Sequence, residues 1–120
     1  MTVCAPLTLM PEGIEKMGVK AAKNIKEGAA GANVLMALRL QLERQKAGLF
    51  PSLTEYNHFF NINDKLISLA DKDAIVMHPG PMNRGLEISS AAADSNASVI
   101  TRQVTNGVAV RMAILERLLK

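Results

Sequence analysis

Aromatic residues are nearly missing from this chain: 120 residues contain no tryptophan, one tyrosine and three phenylalanines. So few rings cannot form the stacking platform that single-stranded nucleic acid requires. They also leave the core to aliphatic side chains, alanine and methionine. No block of like charge is present. Fourteen basic and eleven acidic residues give a net charge of +3 and are scattered along the chain, a balance that suits a small anionic substrate better than a phosphate backbone. The single cysteine, Cys4, rules out a disulfide within the chain, and its apolar surroundings read as those of a small buried hydrophobe. With only two histidines beside it, no metal-ligand spacing exists, and neither a Ser-His-Asp set nor a glycine-rich phosphate loop can be found. No cofactor is expected. No apolar run approaches the ~20 residues of a membrane helix, and the start lacks the basic segment and apolar core of a signal peptide. The expectation is a cytoplasmic protein that binds neither membrane nor nucleic acid.

What is present centres on Ala74-Ile75-Val76-Met77-His78-Pro79-Gly80-Pro81-Met82-Asn83-Arg84-Gly85. Four apolar residues, two of them β-branched, form the continuous run of a strand buried on both faces, as in a parallel sheet. Pro79 and Pro81 cannot continue a central strand, and Gly80 between them admits unusual dihedrals. The run is therefore a strand ending in a rigid loop. Such a loop is either a plain structural turn or a ligand site, because ligands of parallel sheets bind beyond the carboxyl ends of the strands. His78, Asn83 and Arg84 beside it favour the site.

The remaining elements alternate. Thr2 to Ala5 reads as a strand that starts without a lead-in, as in a chain cut from something longer. Pro11 to Gly18 carries the proline, acids and terminal glycine of a short helix. Val19 to Ala22 reads as a strand, and Asn24 with Glu27 forms a capping box for a helix to about Ala30. Asn33 to Leu38 is a second buried-strand pattern with polar residues at its end. Leu40 to Pro51 is a loop, and Ser52 with Glu55 caps a helix through about Phe60. There Tyr56, Phe59 and Phe60 share one face for packing, while His58 reads as merely solvated. Asn63 to Ala70 suggests a short helix, Ser89 to Asn96 a surface connection, and Ser98 to about Leu119 a long helix. The stripe of that helix, Val104, Val108, Met112, Leu115 and Leu119, can lie across a sheet. Gly107 within it suggests a close backbone approach. Strands alternating with helices argue for an α/β fold, a parallel sheet with right-handed crossovers.

Two strand tips carry polar clusters. If both strands run in one direction, Arg39 and Gln41 reach the same edge as His78 to Arg84. Arg39 offers a planar fork for a carboxylate or phosphate and Gln41 adds a donor or acceptor; alternatively, Arg39 pairs with Glu43 or caps a helix end. The carbonyls of Pro79 and Gly80 can accept from an amino group. No acid-base constellation accompanies them, so a complete enzyme has to bring further groups from elsewhere.

The stretches His78 to Ile88, Leu38 to Gln45 and Gln103 to Ala113, extended by Pro6 to Pro11 and Pro51 to Tyr56, resemble the carboxyl-terminal part of aspartate carbamoyltransferase catalytic chains. The resemblance covers essentially the whole chain in the family's order. Departures at Ala5, Leu7 and Asn33 lie away from the proposed site. Ornithine carbamoyltransferases typically read His-Cys-Leu-Pro where this chain has His78-Pro79-Gly80-Pro81.

The resemblance implies a Rossmann-like parallel sheet flanked by helices, with residues 1–120 forming the carboxyl-terminal portion of the aspartate-binding domain and the carbamoyl-phosphate domain absent. It implies transfer of the carbamoyl group of carbamoyl phosphate to L-aspartate in pyrimidine synthesis, by a homotrimer with shared sites and possible regulatory-chain or dihydroorotase partners. It assigns Arg39 and Gln41 to the aspartate carboxylates, and the Pro79 and Gly80 carbonyls to the carbamoyl amino group or the amine. It makes the Gly80-Pro81 bond cis, makes Leu40 to Pro51 a closing loop, and gives Glu43, Arg44 and Arg84 a supporting part in closure. The family's Ser-Thr-Arg-Thr phosphate loop, its carbonyl-polarising histidine, a second arginine and a lysine lent by a neighbouring subunit are not in this sequence. The chain alone is expected to be inactive. The alternatives are a non-catalytic assembly module of the same fold, or a carbamoyltransferase for another amino acid such as ornithine.

Overall fold

The structure, a computed structural model, describes residues 1–42 and 52–120. Among the described residues, four short strands, all paired in parallel, alternate with helices. Strands β1 (Thr2–Val3) and β2 (Lys20–Ala21) form one pair, joined through 3-10 turns at Leu7–Leu9 and Ile14–Met17. Helix α1 (Ile25–Ala29) leads to β3 (Val34–Met36). Helices α2 (Leu53–Phe60) and α3 (Asp64–Ile67) lead to β4 (Ile75–Met77), which pairs with β3. A short α4 (Ser90–Ala93) and the long α5 (Ile100–Leu118) complete the chain. The parallel α/β class read from the sequence is the one observed. The strands nevertheless form two separate pairs, β1-β2 and β3-β4, where one continuous sheet is expected.

Local chemistry starts most helices. Asn24 Oδ1 accepts from the Glu27 amide at 2.9 Å, and Ser52 Oγ from the Glu55 amide at 3.1 Å, so both expected caps form. Glu27 reaches back one residue further than a capping box demands, accepting from Lys23 N at 3.2 Å. The turn expected from Pro11 begins only at Ile14, because Gly13 takes a left-handed φ of 69° and interrupts the earlier residues.

The core lies between the β3-β4 pair and α1, α3 and α4, built from Ala29, Leu35, Ile62, Val76, Ile88 and Ala92 with their neighbours. It contains aliphatic residues and alanine as expected, but no buried methionine: Met82 packs only at its margin, and Met36 is half exposed at 49%. Ser89 to Asn96 is no surface connection. Ser89 caps α4, and Ala92 and Ala93 are buried because small side chains let this helix approach the core closely.

Helix α5 departs most from expectation. Only Ile100 is buried, whereas Val104 is 44% exposed, Met112 66% and Leu119 84%. The stripe does not lie across the sheet, since α5 meets β4 at its first turns and then runs outward. A side chain at Gly107 would meet only the Arg111 guanidinium, at 3.9 Å, so no close backbone approach explains that glycine.

Candidate functional site

Parallel register brings the two strand tips together. Val34, Leu35 and Met36 pair with Ile75, Val76 and Met77, and the Ala37 amide extends the ladder to the Met77 carbonyl at 3.0 Å. Leu38 to Gln41 therefore leave the sheet beside His78 to Gly80. Beyond the ladder, Asn83 Nδ2 donates to the Leu40 carbonyl at 3.0 Å, tying the proline loop to the arginine-bearing tip. Leu40 is buried, Arg39 half-buried and Gln41 exposed.

The loop is held by a buried polar assembly. The His78 ring is fully enclosed: Nδ1 accepts from the Gly80 amide at 2.9 Å, which leaves the ring hydrogen on Nε2 to donate to Glu87 Oε1 at 3.2 Å. The His78 amide donates to Gln103 Oε1 of α5 at 2.9 Å. Glu87, also buried, accepts in addition from the Asn83 amide and from Asn83 Nδ2. A buried carboxylate is tolerable only when its oxygens are satisfied, and three donors do this. Asn57 of α2 and Asn61, just past its end, clamp the next turn through the Leu86 carbonyl, at 3.2 and 2.8 Å.

Within this frame Gly80 adopts φ 66° and the Gly80-Pro81 bond is cis, as the family resemblance implies. A side chain at Gly80 would also meet Val104 Cγ2 of α5 at 3.4 Å. Among the described residues, neither the Pro79 nor the Gly80 carbonyl accepts a hydrogen bond, so both remain available acceptors. Arg84 forms a fork on Asp94, with Nη1 to Oδ2 at 2.7 Å and Nη2 to Oδ1 at 2.8 Å. That pairing holds the Asp94 carboxyl below the usual carboxylate range and raises the guanidinium further. Glu43, Arg44 and most of the Leu40 to Pro51 loop lie outside the described residues, as does Phe50.

Arg39, Gln41, Pro79 and Gly80 stand on one edge, as their strand-tip positions in the sequence imply, whereas nothing in the sequence points to Glu87. Glu87 is buried together with Leu86 and Ile88 on either side of it, and the sequence carries no sign of this. The sequence also leaves His78 without a definite part. His78 is no free base here, as both of its ring nitrogens are engaged in bracing the loop. Cys4 is half-buried, and burial followed by the nearby Glu27 charge pushes its thiol pKa up, in keeping with an inert residue. Exposed His58 stands edge-on to Phe59, with ring centroids 4.8 Å apart. Among the described residues, no helix is long and apolar enough to cross a membrane.

The arginine-bearing tip and the proline loop both lie at the carboxyl ends of parallel strands, the edge where open α/β sheets bind their ligands. The profile of the aspartate/ornithine carbamoyltransferase family, Asp/Orn binding domain, matches residues 10–118. The chain belongs to this family. It is 58% identical over 114 residues to the aspartate carbamoyltransferase catalytic subunit of Caldanaerobacter subterraneus subsp. tengcongensis, covering 95% of this chain and 38% of that protein. It is 54% identical over 116 residues to the catalytic subunit of Nitrobacter hamburgensis, covering 97% and 37%. The chain thus spans little more than a third of the length of these relatives. Among solved structures, aspartate transcarbamoylase from Trypanosoma cruzi in complex with carbamoyl aspartate and phosphate superimposes with TM-score 0.73 at 29% identity, covering 95% of this chain and 38% of that one. Ornithine carbamoyltransferase from Thermus thermophilus shares the fold with TM-score 0.83 at 23% identity, covering 99% and 39%.

Proposed function

We propose that this chain is the carboxyl-terminal portion of an amino-acid-binding domain, and that the complete protein transfers the carbamoyl group of carbamoyl phosphate to L-aspartate, giving N-carbamoyl-L-aspartate and phosphate for pyrimidine synthesis. The observation that carries this reading is the shared edge formed by Arg39 and the cis-proline loop, closed by the bond from Asn83 to Leu40. Arg39 and Gln41 hold the aspartate carboxylates. The Pro79 and Gly80 carbonyls accept from the amine or the carbamoyl amino group and orient it. The amine attacks the carbamoyl carbon to give a tetrahedral intermediate. A carbon-nitrogen bond forms, the bond from that carbon to the phosphate oxygen breaks, and phosphate departs as the amine loses its proton.

Positioning and electrostatics carry such a reaction, and the groups that bind phosphate and polarise the carbonyl belong to the part of the protein outside this chain. Glu43, Arg44 and Arg84 support closure over the substrates. The complete enzyme works as a cytoplasmic homotrimer, with regulatory chains or dihydroorotase as further partners. Identities above 50% to catalytic subunits named for aspartate, against 23% to an ornithine enzyme, support aspartate as the acceptor.

The test is an assay for carbamoyl aspartate with the chain alone and with a separately produced amino-terminal domain of a relative. No turnover alone and turnover on mixing, lost in Arg39→Ala, is the expected result. Turnover by the chain alone would overturn the incomplete-site reading. A mixture that associates yet stays inactive would favour a non-catalytic assembly module.

A further inference from the structure

The tip of β4 is fixed by a bond that no strand supplies. On the side of β4 away from β3, the Val76 amide donates to the Ala97 carbonyl at 2.8 Å and the Val99 amide returns to the Val76 carbonyl at 2.9 Å, one rung of a parallel ladder. The next rung of such a ladder joins the His78 amide to the Val99 carbonyl. Helix α5 has taken that carbonyl, which accepts from the Gln103 amide at 2.8 Å as the helix begins. Gln103 gives back what its backbone takes. Its side-chain Oε1 accepts from the His78 amide at 2.9 Å, and among the described residues the carboxamide makes no other hydrogen bond.

The rung stands next to the proline loop, where backbone donors are few. Pro79 and Pro81 have no amide hydrogen, so only His78, Gly80, Met82 and Asn83 can donate from the backbone between 78 and 83. Three of these four are held by side chains: His78 by Gln103, Gly80 by the His78 ring and Asn83 by Glu87. The His78 ring and Glu87 belong to the segment of the loop itself and move with it. Of the three, only Gln103 stands on another element, and the adjoining Val104 lies 3.4 Å from where a Gly80 side chain would begin. The first turn of α5 thus sets where the loop sits against the sheet.

We infer that Gln103 is a positioning residue for the acceptor amine, aiming the Pro79 and Gly80 carbonyls through the His78 amide. The inference rests on the reading that these carbonyls accept from the amine or the carbamoyl amino group. Gln103 acts through the backbone of the loop and not on the substrate itself, which gives it a kinetic signature. Arg39 and Gln41 hold the carboxylates at the other tip, so loss of the rung leaves aspartate bound with its amine misdirected. A displacement of about 1 Å at reacting groups can cost on the order of 100-fold in rate. The loss therefore falls on kcat and spares KM for L-aspartate.

The test uses a complete protein in which residues 1–120 replace the corresponding region of the Caldanaerobacter catalytic subunit, with Gln103→Leu and Gln103→Glu beside it. Leucine keeps the helix propensity and removes the acceptor, while glutamate keeps an oxygen that accepts. Gln103→Leu is expected to lower kcat per folded protein by about 10- to 100-fold with KM for L-aspartate within about threefold, and Gln103→Glu to bring kcat back to within about threefold of the parent. Amide exchange at His78 should quicken by at least about tenfold in the leucine variant while Val76 stays slow. A parent without activity would overturn the functional reading and the inference with it. An active parent whose folded Gln103→Leu variant keeps its kcat, loses activity through KM alone, or matches Gln103→Glu would overturn the inference only. Should leucine prevent folding, Gln103→Met takes its place, offering a weak thioether acceptor on a side chain of similar length. Failure of both to fold would make Gln103 a scaffold residue and overturn the inference as well.

Discussion

His78 and Glu87 meet inside the protein, Nε2 to Oε1 at 3.2 Å, and between them they hold the loop that presents Pro79 and Gly80. The histidine fixes the Gly80 amide, and the glutamate fixes the Asn83 amide. Removing the carboxylate strands three buried or half-buried donors at once. Glu87→Ala is expected to destabilise the chain by about 3–5 kcal/mol, and Glu87→Gln by less, because one oxygen remains to accept. Urea unfolding of the three proteins checks this. A loss under about 1 kcal/mol in Glu87→Ala would mean that the loop is held by other contacts.

Asn83 is the side chain that joins the two tips, through its bond to the Leu40 carbonyl. Asn83→Ala leaves a buried residue's carbonyl without that donor and is expected to cost about 1–3 kcal/mol. Because the β3-β4 ladder stays intact, faster amide exchange should be confined to the residues after Ala37 and after His78. Exchange that accelerates equally throughout both strands would show that Asn83 supports the whole sheet rather than its edge.

The fork of Arg84 on Asp94 carries a pH signature. The folded-state pKa of Asp94 is depressed, chiefly by this hydrogen-bonded pairing, so its contribution is present above the unfolded aspartate value and is lost as pH falls through the folded one. Arg84 is raised from an already very high value and adds no change near neutrality. Both side chains are largely exposed, so the effect is small and screened by salt. Unfolding midpoints of the parent chain and Asp94→Asn should differ at about pH 5–7 and converge below about pH 3. A difference that grows with acid would contradict the assigned sign.

Local chemistry made much of this fold legible. The caps at Asn24 and Ser52, the apolar runs before Arg39 and His78, and the proline-glycine loop all rest on interactions within a few residues, and they form where the sequence places them. The burial of Ala92 and Ala93 depends on how closely α4 meets the rest of the molecule, which a run of serines and alanines does not encode. The stripe on α5 has the period of a packed helix, but periodicity names no partner, and here the stripe faces outward. Glu87 was hidden for a related reason. A charged residue between two apolar ones looks like the exposed side of a strand until His78 and Asn83, nine and four positions away, are seen to converge on it.

Replacing the corresponding region of the Caldanaerobacter catalytic subunit with residues 1–120 tests the central claim most directly, because the chimera restores whatever this chain lacks. The account predicts a chimera that forms carbamoyl aspartate and does not carbamoylate ornithine. In it, Arg39→Ala should lower kcat/KM for L-aspartate by on the order of 100-fold, the equivalent of about 3 kcal/mol for a lost charged fork. A folded chimera that forms no carbamoyl aspartate, or whose activity survives Arg39→Ala unchanged, would contradict the claim that this edge holds the amino acid.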